Sequence, residues 1–220
     1  MAPRILLGVL LVAPAVIGQT ASPQFAKPTV GLILTFQQQP APAFARELRR
    51  SVDEVFRPAG LGFHWLTDLK VQPGTYDRAI VANLTGRCDP RRMDELPATS
   101  HGRLQLGTTV VNDGEVIPFI NLHCDDMARV VSAQRAVTPN RLQLDAMFYR
   151  VAARVMAHEL MHALLKTTDH RNTDCARAPL RAADLMMNAK LQPSEVAALR
   201  EIGRAWHVKL AREGSPAAGQ

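Results

Sequence analysis

Two patterns of hydrophobic positions recur along the chain, and together they predict a sheet with helices packed on it. Short runs that are continuously apolar or rich in branched residues are typical of buried strands. Apolar residues three and four positions apart, as at Phe44, Leu48, Val52 and Val55, are typical of helices. Strands are predicted at residues 29–36, 61–66, 78–84, 104–111 and 116–122, and helices at 43–56, 141–166 and 193–212.

The last two strands are predicted to form a hairpin. Asn112-Asp113-Gly114 lies between them, and such turn residues between two apolar runs are a strong hairpin signal. Pro118 lies inside the fifth strand, where its missing N–H indicates either an edge strand or a bulge. Residues 87–101 are polar, charged and proline-containing, so we expect a loop there.

This order of elements predicts a single α+β domain with a mixed, mostly parallel sheet, a long helix and a C-terminal helix. The chain has 220 residues, which suffice for one hydrophobic core. Its 47% of hydrophobic and 21% of charged residues are a globular composition. We expect the folded domain to span residues 29–213, with a flexible tail at 214–220, and we expect a monomer.

Residues 1–18 have the layout of a secretory signal peptide. Arg4 gives a positive start, residues 5–17 form an apolar run, and Val16 and Gly18 are the small residues before the expected cleavage site. The run is too short for a membrane span, which needs about 20 apolar residues. We therefore expect a short leader at 19–28 and a secreted or periplasmic protein with no membrane span.

The charge pattern argues against nucleic acid as a partner. The net charge is +6, but the basic residues are scattered and only 5% of the chain is aromatic. Nucleic-acid binding would need a clustered basic patch. A solvated surface is the simpler interpretation of these charges.

The chain has three cysteines, Cys88, Cys124 and Cys175. Outside the cytoplasm cysteines pair by default, and an odd number leaves one over. Cys88 and Cys124 lie at the ends of predicted strands in the same half of the chain, so we favour that pair. Cys175 would then be free, or would exchange roles with one of them.

The long predicted helix contains His158-Glu159-Leu160-Met161-His162. Residues four apart share a helix face, so both imidazoles can reach one metal ion. Zinc favours such nitrogen ligands, and a catalytic zinc site keeps one position open for water. Glu159 would act there as the general base, taking a proton from the activated water and passing it to the leaving amine.

A catalytic zinc site needs a third protein ligand, and His170 is the leading candidate. It lies eight residues after His162, just beyond the predicted end of the helix, so a turn there can bring it back to the metal. Asp169 and Asp174 are the alternative ligands. His101 and His123 lie far upstream, where a surface or core histidine is the simpler interpretation.

With this motif the sequence resembles the zincins, and among them the metzincin clan of zinc metallopeptidases. The order of elements is also similar, and Met186 and Met187 precede the last helix, where metzincins have a methionine turn that forms a floor under the metal. The metzincin pattern is HExxHxxGxxH. This chain has Leu165 in place of the glycine and Thr168 in place of the third histidine, with His170 two residues later. The resemblance therefore implies a divergent relative whose helix ends differently.

These residues predict a secreted zinc metalloendopeptidase that acts on a peptide or protein substrate. The alternative is a secreted zinc-binding protein without catalytic turnover, in adhesion or assembly, although such a protein has no need of Glu159. A strand between Leu104 and Leu122 is expected to align the peptide by strand addition. Tyr149 and Arg171 are candidates for stabilising the oxyanion.

Overall fold

The branched apolar runs predicted as strands form one five-stranded sheet in the computed structural model of the chain. The structure describes residues 28–67, 76–95, 104–134, 140–170, 185 and 187–213, with side chains up to Trp206 in the last helix. The strands are β1 (Thr29–Phe36), β2 (Gly62–Leu66), β3 (Arg78–Thr85), β4 (Gly107–Asn112) and β5 (Glu115–His123). The signal peptide and leader up to residue 27, together with the tail at 214–220, lie outside the described residues and stay predictions.

The order of the strands across the sheet is β2-β1-β3-β5-β4. β1 pairs in parallel with β2 and with β3, and β3 pairs in parallel with β5. β4 pairs with β5 in the antiparallel direction and forms one edge of the sheet. The prediction of a mixed, mostly parallel sheet is therefore confirmed.

Four α-helices accompany the sheet among the described residues. They are α1 (Pro42–Phe56), α2 (Cys124–Ser132), α3 (Arg141–Leu165) and α4 (Pro193–Glu213). α1 buries the apolar face that its spacing predicts. α3 packs against α1, β4 and β5, and it is buried almost continuously from Val151 to His162. A helix buried on most sides lies in the core, so the predicted histidine motif is held there by packing.

The hairpin between β4 and β5 has the predicted turn. Asp113 and Gly114 both have positive φ, 49° and 81°, as a two-residue turn of this kind requires. The register of the pair shifts between Thr109 and Val111, so that Ile117–Phe119 of β5 lie opposite one residue of β4. Pro118 is in this bulge, and of the two predicted alternatives the bulge is the one observed.

Two parts of the predicted element order are wrong. The region 87–101 was expected to be a loop, but Pro90–Glu95 forms a 3-10 helix. α2 was not predicted, and it follows β5 without any intervening residue. No side chain caps its start; Asp125 and Asp126 lie in its first turn, where acidic residues favour a helix.

The favoured cysteine pair is confirmed. Cys88 and Cys124 form a disulfide with Cα atoms 5.1 Å apart, and both cysteines are fully buried. The bond connects the segment before the 3-10 helix to the first residue of α2. Cys175 lies outside the described residues. Within the described part of the chain, none of the helices combines the length and the apolar character that a membrane crossing requires.

Candidate metal centre

The first two histidines of the centre are positioned by α3. His158 and His162 are four residues apart, so they lie on the same face of the helix. Only 7% of His158 and 5% of His162 is exposed, because the surrounding part of the helix is packed in the core. Their Nε2 atoms are 3.1 Å apart. Helix periodicity therefore aims both imidazoles at a common point.

The third histidine reaches the same point from the chain that follows the helix. His170 is exposed, and its ring centroid lies 5.4 Å from that of His158 and 4.8 Å from that of His162. One ring nitrogen of each histidine lies within 4.8 Å of those of the other two. Among the described residues this is the one such group of three, and it contains neither Asp169 nor His123.

A left-handed residue at the end of α3 allows this return. Lys166 has φ 52° and ψ 45°, and its N–H donates to the carbonyl of His162, to which Thr167 N also donates at 3.2 Å. A left-handed residue after the last turn is a common way to end a helix. It lies one residue after Leu165, the position of the glycine in the metzincin pattern. The helix therefore includes the position of that glycine, and the left-handed residue follows it, four residues before His170.

The orientation of His162 is fixed by a bond to its other ring nitrogen. Nδ1 lies 2.7 Å from the carbonyl oxygen of Thr167, which can only accept, so Nδ1 carries the proton. Nε2 is then left as a lone-pair donor, as a metal ligand requires. Burial lowers the pKa of His162, so the neutral form that can ligate a metal is favoured.

Glu159 lies beside the histidines and contacts the edge strand β4. The Thr109 hydroxyl donates to Glu159 Oε2 at 2.7 Å and lies 3.1 Å from the Glu159 backbone carbonyl. Glu159 is 6% exposed, and burial raises the pKa of its carboxyl from 4.5 to about 7, although the bond from Thr109 opposes this shift. A carboxyl with a pKa near neutrality can both accept and release a proton.

A glycine on β4 makes room for that carboxylate. A Cβ atom at Gly107 would lie 2.9 Å from Glu159 Oε1 and 2.6 Å from Val155 Cγ1. These distances are shorter than carbon contacts allow, so a side chain at this position would displace the carboxylate. β4 and α3 can therefore approach this closely only because residue 107 has no side chain.

An open cavity of about 260 Å³ connects these groups. Its walls come from three residues of β4, from Glu159 and the three histidines, and from Thr168. The donor set fits zinc: two nitrogens bound at 2.0–2.1 Å in a tetrahedron lie roughly 3.3 Å apart, close to the 3.1 Å between His158 and His162. Three imidazoles leave one tetrahedral position free, as in catalytic zinc sites.

Several other candidates lie elsewhere or outside the described residues. The ring of Tyr149 packs against Phe44 and Phe148, two and a half helix turns before His158, so it is not beside the centre. His123 Nδ1 lies 2.9 Å from the Thr85 hydroxyl, and His123 does not belong to the group of three histidines. The remaining candidates lie outside the described residues; they are His101, Arg171, Asp174, Cys175 and Met186.

Met187 does not form a hydrophobic floor, since 68% of its surface is exposed. Met186, the other methionine expected for that role, lies outside the described residues, so the methionine turn stays a prediction. The sequence interpretation also missed Thr109 and Gly107. Each lies about fifty residues before Glu159, and an approach between a strand and a helix at that separation leaves no local pattern.

Comparison with known proteins adds little to this picture. No protein-family model matches the chain, and no curated protein matches it. Among solved structures, it is similar to the crystal structure of archaemetzincin from Methanopyrus kandleri, with 12% sequence identity and a TM-score of 0.49. The match covers 83% of this chain and 98% of that one. A likeness at this level assigns neither a family nor an activity.

Proposed function

We propose that the protein is a secreted zinc metalloendopeptidase, with His158, His162 and His170 as zinc ligands and Glu159 as the general base. One observation carries the proposal: three histidine nitrogens lie within 4.8 Å of one another, and a buried carboxyl opens onto the same cavity. Buried carboxyls with a raised pKa are common at catalytic sites. A purely structural metal site would use a fourth protein ligand and has no need of a base.

The chemistry divides between the metal and the chain. Zinc, when bound, supplies a Lewis acid that polarises a carbonyl and lowers the pKa of water. Glu159 takes the proton of the attacking water on its carboxylate and later gives it to the leaving amine. Burial of the Glu159 side chain favours protonation of its carboxylate, which the first step requires.

A peptide substrate fits the edge of the sheet. β4 is an antiparallel edge strand, and its residues Gly107–Thr109 line the cavity. An edge strand presents unpaired backbone N–H and C=O groups, which an extended peptide can pair with. We therefore expect the substrate to add along β4, with its scissile bond beside Glu159.

Export is supported by the signal-like residues 1–18 and by the disulfide. The Cys88–Cys124 bond belongs to an oxidising compartment. We expect a monomer outside the cytoplasm, with the leader at 19–28 preceding the catalytic domain.

The deciding experiment compares wild type with Glu159→Ala on a mixed peptide library, with the zinc content of both measured. We expect one zinc per chain in both proteins and loss of cleavage in the variant by at least about 100-fold, which is typical of a lost general base. Glu54→Ala is the matched control, because the Glu54 side chain is 63% exposed on α1 and should leave cleavage unchanged.

The outcomes separate the two candidate functions. Zinc binding without cleavage in the wild type would favour the alternative of a secreted zinc-binding protein in adhesion or assembly. Equal cleavage by wild type and Glu159→Ala would reject Glu159 as the base. Absence of zinc at neutral pH would reject both functions.

A further inference from the structure

The edge strand β4 touches the catalytic carboxyl of Glu159 at two points. Thr109 donates to Oε2 at 2.7 Å, and Gly107 lies so close to Oε1 that a Cβ atom there would be 2.9 Å from it. Residues two apart on a strand face the same side, so both contacts come from one face of β4. The carboxyl is thereby confined at both of its oxygens.

The hydrogen bond from the Thr109 hydroxyl to Glu159 Oε2 is a strong one. A hydroxyl that donates to a carboxylate at about 2.7 Å is charge-assisted, and such bonds are roughly twice as strong as neutral ones. Thr109 is partly buried, so water competes poorly for either partner. A β-branched side chain in a strand has few rotamers, which fixes the direction of its hydroxyl.

We propose that Thr109 is a positioning residue that holds the Glu159 carboxylate in its reactive orientation from the substrate-binding strand. This inference rests on the proposed peptidase function. Thr109 itself does not exchange a proton with the substrate; it restricts the side-chain rotation of Glu159. Because β4 is also the strand along which the peptide would add, the base and the peptide backbone share one rigid support.

The kinetic test uses two substitutions at Thr109 in the zinc-loaded protein. Thr109→Val keeps the shape and removes the hydroxyl, and we expect kcat to fall at least about tenfold, because a misplaced catalytic group loses much of its effect. KM and zinc content should stay within about twofold of wild type, since the peptide pairs with backbone groups of β4. Thr109→Ser restores the hydroxyl and should recover most of kcat.

Thr35→Val is the matched control. Thr35 is also a partly buried strand threonine, and its hydroxyl donates to Asn83 Oδ1 at 3.2 Å, away from the cavity. We expect this variant to keep the wild-type kcat. A wild-type kcat in Thr109→Val, equal losses in the Val and Ser variants, or a loss that follows zinc content would overturn the inference.

A second measurement is independent of activity. The Tm of the metal-free protein is measured for wild type, Thr109→Val, Glu159→Ala and the double variant, which together form a double-mutant cycle. If the hydroxyl binds the carboxyl, the Tm shift of the double variant differs from the sum of the two single shifts. Additive shifts would overturn the contact, whereas a wild type that cleaves no peptide but shows non-additive shifts would reject the proposed function alone.

Discussion

The helix α3 and the chain just after it contribute to the same centre in different ways. His158 and His162 are buried in a helix that the core holds on most sides, and His162 is also oriented by the Thr167 carbonyl. His170 is exposed and follows a left-handed turn at Lys166. The helical pair is set by the fold as a whole, whereas the third histidine depends on the local conformation of a few residues.

This difference has an energetic consequence. A ligand already held in place loses little conformational freedom when a metal binds, but an exposed loop side chain must be ordered, at about 0.5–1.5 kcal/mol per side chain. The two helical histidines should therefore contribute more to zinc affinity than His170. The same burial has a disadvantage, because it places the Glu159 carboxyl in surroundings that disfavour its charge.

The largest effect is expected from removing a helical ligand. Structural zinc sites bind with about 10–16 kcal/mol, so each of four ligands accounts for about 2.5–4 kcal/mol. We expect His162→Ala to weaken zinc binding by about 4 kcal/mol, roughly a thousandfold, and His170→Ala by about 2.5 kcal/mol, somewhat under a hundredfold. Competition titration against a chromophoric zinc chelator measures both.

His64→Ala is the control for these two variants. His64 is exposed on β2, at the opposite edge of the sheet, and its removal should leave zinc affinity unchanged. Equal losses of zinc affinity in His162→Ala and His170→Ala would contradict the expected difference between the helical ligand and the loop ligand. Full zinc affinity in His170→Ala would reject His170 as a ligand.

The next effect concerns the stability of the metal-free protein as pH changes. Burial raises the pKa of Glu159 from 4.5 to about 7 in the folded state. Below pH 4.5 both states are protonated, and the carboxyl has no effect. As the pH rises to 7 the unfolded state releases its proton first, so the free energy of unfolding falls. The loss is complete above pH 7 and amounts to about 3 kcal/mol.

Glu159→Gln should remove this loss, because an amide does not ionise. We expect the free energy of unfolding of the variant, relative to wild type, to increase by about 3 kcal/mol between pH 4.5 and pH 8. Urea unfolding in the presence of a chelator measures it at both pH values. A constant difference between variant and wild type would mean that the carboxyl is not destabilised in the folded protein.

The predictability of these features from sequence follows the same division. The helix spacing of His158 and His162 is a property of the backbone, so the motif predicts their arrangement directly. The end of α3 differs by one residue from the predicted 166, and Lys166 carries no sign of a left-handed conformation, since glycine or asparagine usually marks it. His170 was predicted from its position in the chain alone.

Contacts between segments that are distant in the chain could not be predicted from the sequence. α2 was missed because β5 passes into it with no proline, glycine or capping side chain between them. Thr109 was predicted only as part of a strand, because its role depends on how far β4 lies from α3. The cysteine pair was the exception, since both cysteines lie at the ends of predicted strands in the same half of the chain.

The smallest effect should come from the turn that ends α3. Lys166 is exposed and has φ 52°, a conformation that costs a non-glycine residue about 1–2 kcal/mol. Lys166→Gly removes that strain but adds freedom to the unfolded chain, which opposes the gain by about 0.4–1 kcal/mol. We therefore expect a net increase of about 0.5 kcal/mol in the free energy of unfolding, measured by urea denaturation.

Lys190→Gly is the matched control for this turn. Lys190 is also exposed and outside any helix or strand, but it does not have positive φ. Only the added freedom of the unfolded chain matters there, so this variant should be less stable than wild type by about 0.4–1 kcal/mol. If both glycine variants are destabilised equally, Lys166 is not strained. The helix end would then be held by its bonds to the His162 carbonyl, and the return of His170 would depend on those bonds.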